Sequence, residues 1–158
     1  MIRYAEILLA YAEALNQLET NSFDIDVDGV TINFHRNTNE IKWAFNQVRY
    51  RAGLPGLTNA ELASAELVMN CIKRERMVEF LYENKRYFDV RRWGDYEASE
   101  SETITGMNTS STQANYYQRV IPASSRITQR ILDRKLIFLP IPDQEVKRLS
   151  SFDQNPGW

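Results

Sequence analysis

The sequence predicts a mainly α-helical fold with long irregular loops. Three observations carry that prediction. Tyr4, Leu8, Tyr11, Leu15 and Leu18 follow the alternating four-three spacing of one helical stripe. Thr58-Asn59-Ala60-Glu61 is a capping box, in which Thr58 and Glu61 satisfy each other's backbone donors at a helix start. The apolar run Leu136–Pro142 is stopped by two prolines, which cannot continue a helix or a central strand.

The 158 residues are read as a single domain, 1–158, long enough to bury one core. Hydrophobic residues make up 43% and charged residues 25%, which argues against wholesale disorder. The net charge of −2 lacks the basic excess of a nucleic-acid binder. Cys71 is the single cysteine, so an internal disulfide is excluded, and the residue reads as a small apolar group on a helix. No stretch reaches the roughly 18 uninterrupted apolar residues of a membrane span.

The first helix is expected over Ile2–Leu18. Ala5, Ala12 and Ala14 beside its stripe would let a neighbouring helix come close, so it reads as half of a helix pair. It has no N-capping Ser, Thr, Asp or Asn before its first periodic residue, as expected of a chain cut from a longer one. Glu19 to Asn39 is polar and broken, with alternation from Val30 to Phe34 that fits a short strand or extended edge. A second helix is expected over Glu40–Ala52, carrying Ile41, Ala44, Phe45 and Val48, with Gly53 as its stop and Pro55 just beyond.

The third helix should begin near Asn59, with a break near Ser64, and run to about Tyr82. Asn84 to Gly94 reads as a further helical turn ending at the glycine. From Asp95 to Arg126 the chain is rich in Ser, Thr, Asn and Gln, and a loop of that length in a compact domain is commonly functional or partly disordered. Its Asn108-Thr109-Ser110 matches a glycosylation acceptor in pattern only. Asp143–Leu149 can form a short helix, and Gln154-Asn155-Pro156-Gly157-Trp158 is turn-forming.

Catalytic chemistry finds little to work with. His35 is the sole histidine, which rules out a histidine-based metal cluster. No Gly-x-Ser-x-Gly nucleophile elbow and no Gly-rich phosphate loop are present. Asp24, Asp26 and Asp28-Gly29 match the opening of a calcium loop, but its bidentate glutamate position falls on His35. An acidic turn is the better reading, and neither a metal nor a cofactor is expected.

The richest segment is Lys73–Asp95. Ile72, Arg76, Glu79, Glu83 and Arg86 lie at helical spacings, forming a stripe of alternating charge beside Phe80, Tyr82, Tyr87, Phe88 and Trp93. A glycosidase could draw its carboxylate pair from this set, but each acid has an arginine three or four residues away that would hold it ionised. A nucleic-acid surface would need more than the excess of seven Lys and Arg over five acids found here. The expected role is a structural ion-pair network of Arg76, Glu79, Glu83 and Arg86 at a helix-packing interface, with the aromatics as core.

Ile72-Lys73-Arg74-Glu75-Arg76 through Glu79-Phe80, followed by Glu83–Gly94, resembles the signature of the SusD/RagB family. Tyr4–Asn16 resembles that family's upstream helix, and Leu139–Pro142 with Gln154–Trp158 resembles its C-terminus. The three blocks fall in the right order across nearly the whole chain. The resemblance implies tetratricopeptide-like helix pairs, with Ile2–Leu18 and Glu40–Ala52 forming one pair in the C-terminal part of a longer protein. It further implies a surface-exposed outer-membrane lipoprotein that binds oligosaccharide or polysaccharide without cleaving it, partnered by a SusC-like TonB-dependent transporter. No nucleic acid is involved in that picture. A helical-repeat scaffold for protein contact or peptide cargo is the alternative. The family's sugar-stacking aromatics lie mainly upstream of the matched helix, so none transfers to a position here. Any ligand contact should come from the irregular loops, where Tyr116 and Tyr117 are the candidates, because aromatic faces stack on the apolar faces of sugar rings.

Overall fold

The computed structural model describes residues 2–110, 112, 114, 116–122, 132–149 and 151–158. The end of the predicted polar loop, from 123 onward, lies outside the described residues. Two compact units make up the chain, Met1–Arg86 and Tyr87–Trp158.

In the first unit, α1 (Tyr4–Gln17) and α2 (Thr38–Arg51) pack side by side, and α4 (Ala65–Glu79) closes on α1. A four-residue helix, α3 (Asn59–Leu62), leads into α4. The buried face of α1 is Ala5, Leu8, Leu9, Ala12, Leu15 and Asn16, with Tyr11 and Leu18 at its margin. Tyr4 is not part of it, being 66% exposed. The stripe is therefore rotated from the predicted one. The alanines bring the helices together, and a tyrosine at the contact would hold them apart. Leu9, Ile41, Val68 and Ile72 are fully buried at the centre of the core.

Helix boundaries follow the local chemistry. α2 starts two residues earlier than predicted, because the Asn37 side chain accepts from the Asn39 and Glu40 amides and caps the helix. It ends where Gly53 takes a positive φ of 69° and Leu54 donates back to the Arg49 carbonyl at 3.0 Å. Thr58 and Glu61 form the expected capping box. Ser64 breaks the third helix by capping α4, accepting from the Leu67 amide. α4 stops at Glu79, short of the predicted Tyr82, which has a left-handed φ of 65°.

Between α1 and α2 stands a hairpin of β1 (Ser22–Val27) and β2 (Val30–His35). Of this hairpin, the alternation Val30–Phe34 predicts only part of β2. The two-residue loop is Asp28-Gly29, with φ of 51° and 80°, the pairing that suits a tight turn between twisted strands. The apparent calcium-loop run is thus strand and turn. Asp24 accepts from Asn33 at 2.6 Å and Asp26 from Thr31 at 2.5 Å, while His35 lies exposed beside Asn33.

The second unit takes up most of α5 (Lys85–Arg92), then α6 (Tyr96–Ser101) and a short ladder of β3 (Gly106–Met107) with β4 (Arg119–Val120). A 3-10 turn (Arg134–Ile137) and α7 (Asp143–Arg148) follow. Arg91 organises it: the guanidinium donates to the carbonyls of Leu136, Ile137 and Tyr87 at 2.8–2.9 Å and lies over the rings of Tyr87 and Tyr96. The C-terminal segment is pinned by Gln154, which both donates to and accepts from the Ile141 backbone, and by Trp158, whose indole N–H donates to Lys135 and Phe138 carbonyls. No helix among the described residues is long and apolar enough to cross a membrane.

Candidate functional site

The charged stripe sorts by partner. Glu79 receives Arg3 at 2.7 Å and Arg51 at 2.6 Å, and Glu83 receives Arg3 at 2.6 Å. Arg3 sits in the capping position of α1 and Arg51 ends α2, so the acids of and just beyond α4 tie together the ends of three helices. Glu79 is held below the ordinary carboxylate range: burial pushes it up, and hydrogen bonds from Arg51 and Arg3 outweigh that. Arg76 is buried with its guanidinium 5.1 Å from the centre of the Phe80 ring, and Arg3 lies 5.2 Å from the same ring. Arg86 is half-buried at the start of α5.

Sequence reasoning paired these residues along their own helix and missed Arg3 and Arg51. It also missed Arg49, which reaches Glu75 at 3.0 Å, and Lys85, which reaches Glu6 at 2.7 Å. No spacing rule links residues 76 or 80 positions apart, so these partners carried no local signal. Glu79, held ionised in this way, is a poor general acid. Cys71, half-buried beside Glu61, has its thiol pushed up to about 11, chiefly by burial and then by the hydrogen bond to Glu61. A thiol so protonated at neutral pH is a poor nucleophile.

Buried polar side chains pin the connecting loops. Asn16 donates to the Ala65 carbonyl at 2.8 Å and accepts from Arg36, which also donates to the Leu62 carbonyl. Asn46 accepts from the Leu57 amide at 2.9 Å and lies against Gly56 so closely that a Cβ there would fall 2.3 Å from it. Such pins fix the loops after α1 and α2.

Tyr116 and Tyr117 present a different chemistry. They sit between β3 and β4, with ring centres 4.2 Å apart and planes tilted by 49°. Both are exposed, and Tyr117 holds a left-handed φ of 57°, uncommon for an aromatic residue and a mark of a specified conformation. The Tyr117 amide donates to the Asn108 carbonyl at 2.8 Å, and the Asn108 amide donates to Gln118 at 3.0 Å, which anchors the strained residue across the ladder. The side chain of Asn108 accepts from the Ser110 amide. A hydrogen bond between the tyrosine side chains raises the Tyr116 phenol. The pair therefore offers two joined aromatic faces to solvent, a surface suited to stacking on an apolar ring face.

A helix-pair core tied by interhelical arginine–carboxylate bridges is a helical scaffold. The chain belongs to the SusD family, whose sequence profile matches it over residues 1–158. It is similar to a solved SusD-like protein from Bacteroides fragilis NCTC 9343, at 28% identity and a TM-score of 0.70 over 99% of this chain and 25% of that one. It is also similar to the solved protein BT4246, at 26% identity and a TM-score of 0.72 over 100% of this chain and 23% of that one. The chain thus spans about a quarter of the length of these structures. No curated protein sequence matches it significantly.

Proposed function

We propose that this chain is the C-terminal part of a longer outer-membrane lipoprotein that captures oligosaccharide and hands it to a SusC-like TonB-dependent transporter, performing no chemistry itself. Membership of the SusD family across residues 1–158 carries this reading. The paired state of Glu75, Glu79 and Glu83 supports the non-catalytic part, since each has an arginine within 3.0 Å. The exposed Tyr116–Tyr117 pair supports a contribution from this part of the protein to sugar contact.

The test is a calorimetric titration of the full-length protein against plant, host and microbial glycans. Saturable binding to one class is expected. Tyr116→Ala and Tyr117→Ala should each weaken it about tenfold, the worth of one stacking contact. Unchanged affinity in both variants would place the site elsewhere in the protein. Silence across the panel with saturable peptide binding would favour the protein-contact reading instead.

A further inference from the structure

The solvent face of α2 departs from the usual pattern of a surface helix, whose outer side is charged or polar. Spacings of four, four and three place Asn39, Trp43, Gln47 and Tyr50 on one stripe, opposite the buried Ile41, Ala44, Phe45 and Val48. Trp43 is 51% and Tyr50 60% exposed, and Asn39 and Gln47 are exposed beside them. The four charged side chains of the helix are taken up by other partners. Glu40 accepts from Tyr11 and Asn37, Lys42 donates to Asn59, Arg49 bridges to Glu75 and Arg51 to Glu79. The Tyr50 hydroxyl accepts from the buried Asn46 at 3.2 Å, and Asn46 in turn accepts from the Leu57 amide, so the ring is seated. The stripe itself carries no charge and alternates amides with aromatic rings on a rigid element.

We infer that this stripe is a binding platform for a neutral, extended glycan whose rings are joined through equatorial 1,4 linkages. The inference rests on the capture reading above and narrows its ligand class. Aromatic faces stack on the apolar faces of sugar rings. A side-chain amide offers a donor and an acceptor together, which is what a pair of neighbouring hydroxyls needs. Trp43 and Tyr50 are seven residues apart on α2, about 10.5 Å along the helix axis. Two rings of an equatorially 1,4-linked chain advance by a similar length. Alternate rings of one chain can therefore lie on the two aromatics while the ring between them meets Gln47. A curved, axially linked chain turns away within that span. Charge points the same way: a polyuronate or an anionic lipid surface gains no attraction from an uncharged stripe. An apolar protein surface would bury both amides unpaired.

The test is calorimetry on the full-length protein with neutral β-1,4-linked oligosaccharides of two to six rings, beside α-1,4-linked and polyuronate oligomers of equal length. The neutral β-1,4 series should bind about tenfold more tightly once three rings span both aromatics. Trp43→Ala and Tyr50→Ala should each remove that gain, a loss of about tenfold on the hexasaccharide with the disaccharide nearly unaffected. Trp43→Phe, which keeps an aromatic face, should restore most of it. Hexasaccharide affinity equal in both alanine variants and the parent would overturn the inference, as would a preference for the α-1,4 or the charged series. Should Tyr50→Ala misfold for want of the Asn46 contact, tryptophan emission decides. The hexasaccharide should shift emission in the parent and not in Trp43→Phe, and a full shift in Trp43→Phe would overturn the proposal. Glycan binding that ignores these variants removes only this platform, whereas silence toward every glycan removes the capture reading on which it rests.

Discussion

Glu79 shows how a single residue is given its role by partners distant in sequence. Arg3 and Arg51 both bridge it, and its carboxyl is depressed below the ordinary value of 4.5. A depressed carboxyl contributes stability that is present above the unfolded value and lost as pH falls through the folded one. Stability should therefore hold above about pH 5 and decline below about 4.5, where Glu61, also depressed by its Thr58 hydrogen bonds, adds to the slope. Glu79→Gln should lower stability at pH 7 and flatten the acid slope, as read by urea melts at pH 7, 5 and 3.5. An acid slope identical to that of the parent would show that the bridges contribute nothing. The stripe's charge alternation was legible in the sequence. That two of its acids answer to Arg3, 76 and 80 residues away, was not.

At the scale of elements, the helices were readable wherever a cap or a stop was written locally. Thr58, Ser64 and Gly53 each do by side chain or φ what their residue types suggest. The hairpin was half missed because its Asp-Gly turn sits within an Asp-x-Asp-x-Asp pattern, and the acidic pattern masked the alternation of Phe23, Ile25 and Val27. The loop joining α2 and α3 depends on close approach. Gly56→Ala would drive a Cβ into the Asn46 side chain, the acceptor for the Leu57 amide. A cost of about 2 kcal/mol is expected from the overpacking and the strained hydrogen bond. Thermal melts would check it, and a shift below about 1 °C would mean that Asn46 moves aside freely.

For the whole molecule, Arg91 matters more than its place in the signature segment suggests. It joins α5 to the 3-10 turn Arg134–Ile137 through two carbonyls and packs between two tyrosines. Arg91→Ala would leave those carbonyls without their charged donor, at about 2–3 kcal/mol for hydrogen bonds to a charged group. The expected signature is faster amide exchange from residue 134 to 138, the turn and the Phe138 that follows. Unaltered exchange there would show that the C-terminal clamps of Gln154 and Trp158 suffice alone.

Local chemistry in the sequence was enough to determine that the fold is mainly helical, where the caps at Thr58 and Ser64 and the stop at Gly53 fall, and which family the chain resembles, because periodicity and capping act within one or two turns. Which face of α1 enters the core and which arginine meets which acid were decided only by tertiary packing. Those outcomes depend on how closely the helices approach and on contacts between residues tens of positions apart, for which a linear spacing carries no information.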